Sequence, residues 1–241
     1  QIDLTLSRGA FDKGRLVGFV LHGVDEWAGE KLLYNGGTGV LPAYRRRGFT
    51  KRVYWELAPL LRRRGFDACL LEVITHNFPA VRAYEKIGFR RLRELCCLQG
   101  RPAAPAGSTT AGSGGRVAPL PPALLDRLPA YWNFRPTWQH GPGALRRAAG
   151  LFRAFGLFAG DFLLAYGVLD DRKGRIQQFG VHPDRRGQGW GRHLFDEFAK
   201  LYAGPLTVLN VDETDAQTLG FLQHLGFKVF LQQYEMKWGL R

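Results

Sequence analysis

Apolar positions along the chain fall into short runs whose periods separate strands from helices. "GAFDKGRLVGFVLHGV" reads as two strands joined at Asp12–Gly14, where a Gly-bearing turn interrupts the apolar alternation. "LLYNGGTGV" continues as a third strand. Glycines 36, 37 and 39 are unusual inside a strand and predict a bulge or a close ligand approach. After Phe49, the apolar positions Val53, Leu57 and Leu60 recur at helical spacing. "FDACLLEVI" and "RRLRELCCL" then read as strands, with a helix in "NFPAVRAYEKIGF" between them.

The same order returns further on. "FRAFGLFAG", "FLLAYGVL", "RIQQFGV", "LTVLNV" and "KVFLQQYEM" read as strands, and Leu194, Phe198 and Leu201 follow Trp190 at helical spacing. "VLPAYRRRGFT" (Val40–Thr50) aligns without a gap on "VHPDRRGQGWG" (Val181–Gly191). "NFPAVRAYEKIGF" (Asn77–Phe89) aligns on "DAQTLGFLQHLGF" (Asp215–Phe227) after a small loss where "RRRGFD" faces "YAGP". Such a loss is tolerated in a loop. The pattern predicts an internal duplication: α/β, two modules of one design, each with strands of mixed orientation. Between them, "GRPAAPAGSTTAGSGGR" (Gly100–Arg116) has no large apolar residue and reads as a flexible linker. The expected organisation is a module over 1–99, a linker over 100–117 and a module over 118–241.

Composition changes this picture little. At 241 residues, 45% hydrophobic and 23% charged, the chain suits two modest soluble domains. The formal charge of +13 is unusual, but most basic residues are arginine and are spread along the chain. No aromatic-interleaved basic strand of the RNA-binding kind is present, and the arginines of "LRRRGF" sit where a helix C-terminus favours cations. A nucleic-acid partner is therefore not expected. Cys69, Cys96 and Cys97 lack metal-ligand spacing, which predicts no metal and a reducing, cytoplasmic setting. "GLFRAFGLFAGDFLLAYGVL" is broken by Arg153 and Asp161, so it reads as two strands and a turn, and no membrane partner is expected. The start has neither a signal-peptide core nor Met, and the first module is short at its front. Either a segment before Gln1 or the second module's "YWNFRPTWQHGPGALRR" is expected to supply the missing part. In that stretch Trp132, Phe134 and Trp138 line a pocket or simply pack.

A strand running through a Gly-containing turn into a helix gathers several backbone N–H groups at one point, an anion site. Gly48 and Gly189 let the main chain approach the anion, while Arg45, Arg46, Arg47 and Lys51 add charge suited to a pyrophosphate. The pattern is neither the P-loop nor the dinucleotide fingerprint. One copy alone reads equally well as a basic surface turn.

The turns Arg45-x-x-Gly48-x-Thr50 and Arg186-x-x-Gly189-x-Gly191, followed by Asn77, Ala80, Tyr84, Gly88 and Phe89, resemble the GNAT acetyltransferase superfamily. The first module resembles the ribosomal-protein-alanine N-acetyltransferases, through "LLEVITHN" and the Tyr that follows. The tandem layout resembles mycothiol synthase. The resemblance implies a mostly antiparallel sheet with a V-shaped splay between central strands, and acetyl-CoA as co-substrate. It implies pantetheine along Thr38, Gly39 and Val40 and held by Asn77, with the pyrophosphate on Arg45, Arg46, Arg47, Gly48, Phe49, Thr50 and Lys51. The second turn offers Val181, Arg186, Gly187, Gln188, Gly189, Trp190 and Gly191 in the same way. Thr50 departs from the usual Gly or Ala. Glu72 is implied as the base that deprotonates a primary amine and Tyr84 as the acid that protonates the leaving thiolate. Read alone, Glu72 is also compatible with an exposed edge-strand carboxylate, Tyr84 with a core ring and Asn77 with a helix N-cap. The second module has Asn210, Asp215 and Leu222 at those positions, so its active site reads as degenerate unless Asp212 or Glu213 substitutes. The expected acceptor is an amine of a small molecule or a protein, acted on by a monomer or homodimer. The alternatives are a silent acyl-CoA-binding protein and an RNA- or ribosome-associated basic protein.

Overall fold

The computed structural model describes residues 2–27, 29–102, 115–148 and 150–241. In chain order its first half contains β1 (Arg8–Asp12), β2 (Arg15–Trp27), β3 (Glu30–Val40), α1 (Phe49–Arg63), β4 (Ala68–Ile74), α2 (Phe78–Glu85) and β5 (Arg90–Gly100). The second half contains β6 (Arg116–Pro119), α3 (Pro142–Arg147), β7 (Arg153–Ala159), β8 (Phe162–Asp170) and β9 (Arg175–Val181). It continues with α4 (Trp190–Leu201), β10 (Leu206–Asp212), α5 (Ala216–His224) and β11 (Lys228–Gly239).

These elements form two compact units whose boundary is not the expected one. One unit holds residues 1–94 and 233–241, the other residues 95–232. The cause is an exchange of strand ends. In the first unit the sheet order is β1-β2-β3-β4-β11, and Gln233–Gly239 from the far end of the chain pairs antiparallel with β4. In the second the order is β5-β10-β9-β8-β7-β6, and Leu95–Gly100 from the first copy pairs with β10. Each copy thus lends the end of its last strand to the other copy's sheet. The linker expected over 100–117 is narrower at both ends, because Gly100 pairs with Leu206 and Arg116 and Val117 pair with β7. Residues 103–114 of that segment lie outside the described residues.

The first unit's core shows why its strands and helices form. α1 buries Val53, Leu57 and Leu61 against Leu33, Cys69 and Leu71, and α2 adds Val81 and Tyr84. Met236 of β11 closes the same cluster. Strand alternation then sends Leu70 and Glu72 to the opposite face of β4.

Both units open at the same place. β3 pairs parallel with β4 only through Leu32, Leu33 and Tyr34, although it runs on to Val40 beside β2. The β2–β3 register skips Gly36, the bulge that the glycines predicted. A bulge adds twist and turns its strand aside, which separates β3 from β4. The second unit repeats this. Its β8–β9 register skips Gln177, which aligns with Gly36, and β9 pairs with β10 only through Arg175 and Ile176.

Candidate functional site

In the first unit, the turn after β3 leads into α1 through Gly48, whose φ of 75° is left-handed. A Cβ there would meet nothing within 4 Å, and no side chain caps the helix. The first N–H groups of α1 therefore point outward as donors. The arginines brace the turn as well as charging it. Arg45 Nε donates to the Val40 carbonyl at 3.0 Å and Arg47 Nη2 to that of Ala43 at 3.0 Å. The second unit repeats both contacts, Arg186 Nε to Val181 at 3.3 Å and Gln188 Nε2 to Asp184 at 3.1 Å. Lys51 Nζ lies 4.0 Å from the Trp55 ring centroid, and Phe49 packs against the core. Arg46 takes a φ of 66°, the left-handed value that its counterpart Gly187 adopts at 73°.

Thr50 fits for a reason that its counterpart makes plain. A Cβ on Gly191 would stand 3.0 Å from the Phe221 ring, a crowded contact that glycine avoids. In the first unit Ala83 occupies the place of Phe221, and a threonine is accommodated.

The two proposed proton-transfer groups lie on either side of β3 where its pairing with β4 stops. Tyr34, the last paired residue, donates its hydroxyl to Glu72 Oε2. Its neighbour Asn35 faces the helices. Asn35 Oδ1 accepts from the Gly37 N–H at 2.9 Å, which fixes the amide orientation because a backbone N–H can only donate. Asn35 Nδ2 then donates to Thr38 Oγ1 at 2.9 Å, the Tyr54 hydroxyl at 3.0 Å and the Tyr84 hydroxyl at 3.3 Å. Burial raises the Tyr84 phenol above its ordinary range, against the pull of the Thr38 and Asn35 hydrogen bonds, so it keeps its proton at neutral pH. Gly39 and Val40 run along the open edge of β3 beside Thr38. Asn77 caps α2, accepting from the Ala80 N–H at 3.3 Å.

The second unit keeps the turn but has Asn210 and Leu222 at the places of Glu72 and Tyr84. A cavity of about 630 Å³ opens beside Arg186, Gly187, Gly189 and Gly191, with Asn210 at its inner end. Asn210 is 1% exposed and left-handed at φ 60°, and its Nδ2 donates to Thr137 Oγ1 at 3.1 Å. Trp132 and Phe134 line the cavity, whereas Trp138 is buried and packs. Among the described residues, no Asp or Glu lines it. Asp212 accepts from Thr214 Oγ1 and Glu213 from Gln232 Nε2, and neither is among the residues lining the cavity. Trp190 stacks on His193.

Residues 3–89 match the acetyltransferase (GNAT) family and residues 159–229 match an acetyltransferase (GNAT) domain. The chain belongs to the GNAT family. No curated protein matches it. Among solved structures, a tandem GNAT protein from the clavulanic acid biosynthesis pathway is similar at TM-score 0.65 and 14% identity, over 98% of this chain and 82% of that one. A GCN5-related N-acetyltransferase from Sphaerobacter thermophilus gives 0.67 and 16%, over 95% and 78%. One from Anabaena variabilis gives 0.64 and 15%, over 100% and 64%. The tandem GNAT arrangement is therefore established, and membership supports acyl-CoA-dependent acetyl transfer as the general chemistry.

Sequence reasoning did not single out Tyr34, Asn35, Arg93 or Glu235. The signal for Asn35 was in "YNGG", since an asparagine before paired glycines is a ready acceptor for a turn N–H. Glu235 carried none, because only the strand exchange brings it beside Glu72.

Proposed function

We propose that the chain is an N-acetyltransferase that moves an acetyl group from acetyl-CoA to a primary amine, and that the first unit does the chemistry. The supporting observation is the placement of Glu72 and Tyr84 on opposite faces of β3, at the mouth of the splay. The residues suit the co-substrate. The uncapped N–H groups at α1, the open space at Gly48 and the Arg45–Lys51 charge fit a pyrophosphate, and the unpaired edge of β3 from Thr38 to Val40 fits an amide-bearing arm.

Glu72 takes the proton that the amine must lose before its nitrogen can bond to the acetyl carbon. Tyr84 gives its proton to the sulfur as the carbon–sulfur bond breaks. No protein nucleophile is needed. Glu72→Gln and Tyr84→Phe are each expected to lower transfer about 10²–10⁴-fold with acetyl-CoA binding retained. Thiol release against small amines, polyamines and peptide N-termini reads the rate, and the acetyl-CoA-induced rise in melting temperature reads binding. Wild-type rates in both variants, with loss on Arg186→Ala, would move the chemistry to the second unit.

A second reading rests on the cavity beside Arg186. Its lining has no carboxylate and Leu222 replaces the acid, so the second unit is suited to hold acyl-CoA without transferring it. Ligand-induced stabilisation of wild type with no thiol release to any amine would extend that reading to the whole chain.

A further inference from the structure

We infer that Tyr34 is a positioning residue for this reaction: its hydroxyl, at the last rung between β3 and β4, sets the orientation and charge of the Glu72 carboxylate. This rests on the reading of Glu72 as the base. Tyr34 pairs with Leu70, and Glu72 lies two residues further along β4 on the same face, just where the strands part. The Tyr34 hydroxyl donates to Glu72 Oε2. Burial and then the negative charge of Glu72 push the Tyr34 phenol well above its ordinary range, with Glu235 adding to the rise. The phenol therefore keeps its proton and acts only as a donor toward the carboxylate.

Glu235 stands directly opposite Glu72 in the β4–β11 ladder. Two like charges across a ladder repel, and that would drive one of them to bind a proton. Arg93 removes this pressure. Its Nε donates to Glu235 Oε2 at 2.7 Å, and Glu235 is only 2% exposed. With Glu235 neutralised by Arg93, the donor from Tyr34 favours the ionised form of Glu72, the form a base requires. The second unit agrees from the opposite direction. There Arg175 stands at the place of Tyr34 and Asn210 at that of Glu72, so donor and carboxylate are missing together.

The test follows the Glu72 carboxyl carbon by NMR in glutamate-labelled full-length protein, its signal assigned by disappearance in Glu72→Gln. Tyr34→Phe removes one hydrogen bond to a charged group, so the titration midpoint is expected to rise by about one pH unit. The acidic limb of kcat/KM, measured with spermidine and an alanine-initiated tetrapeptide, is expected to rise with it, with the KM for acetyl-CoA unchanged. An unmoved midpoint would overturn the inference. A moved midpoint alongside wild-type rates in Glu72→Gln would leave Tyr34 as the partner of Glu72 and remove Glu72 from the chemistry. Circular dichroism checks folding, and Tyr34→Leu, which removes the ring together with the donor, replaces Tyr34→Phe if that variant fails to fold.

Discussion

Arg46 holds a backbone conformation that its counterpart in the second copy leaves to glycine. A left-handed φ costs a residue with a Cβ about 1 kcal/mol or more. Arg46→Gly is therefore expected to raise the melting temperature by about 2–4 °C while weakening acetyl-CoA binding through the lost charge. Calorimetry with and without acetyl-CoA separates the two effects. The pairing of Thr50 with Ala83, against Gly191 with Phe221, makes a second prediction at this scale. Gly191→Thr alone brings side-chain atoms onto the Phe221 ring and should destabilise the second unit, by about 1–3 kcal/mol. Phe221→Ala in the same chain should recover part of that loss, so that the two changes are non-additive in a double-mutant cycle followed by urea unfolding.

Among the strands and helices, those in both copies were legible because their periods are clean and the turns carry glycine. Val53, Leu57 and Leu60 predict α1, and Val53 and Leu57 are buried in its core with Leu61, while Leu60 packs at the edge. The bulge was legible from Gly36. The partnership of the strands was not, because β5 and β11 each pair well with either copy's central strand as far as composition goes. The same reason hid part of the site: Glu72 and Tyr84 follow from the resemblance that their local motif carries, whereas Glu235 reaches Glu72 from the far end of the chain. Deleting residues 233–241 is expected to unfold the first unit selectively, since it bares the β4 edge and removes Met236 and Leu240 from the core. Hydrogen exchange should then show lost protection in α1 and β4, with β7–β9 still protected.

Over the molecule as a whole, each unit buries one neutral histidine, and both reduce its tolerance of acid. Burial lowers His22 in the first unit to about 4, where its Nδ1 faces the Leu6 carbonyl at 2.9 Å. Burial, followed by the charge of Arg175, lowers His140 in the second to about 4. An unfolded histidine titrates near 6.5, so between these values the unfolded chain binds protons that the native chain refuses. Stability is thus fully present above pH 6.5 and falls as pH drops toward 4, by about 3 kcal/mol for each histidine. Melting temperature against pH should be flat above 6.5 and steep below. His22→Asn should reduce the slope for the first unit alone.

The exchange of strand ends also bears on how the chain comes off the ribosome. The second unit is one continuous stretch, residues 95–232, whereas the first is completed only by residues 233–241. During synthesis the usual order, N-terminal part first, is therefore inverted. The earlier half waits with its β4 edge unpaired until the later half has been made.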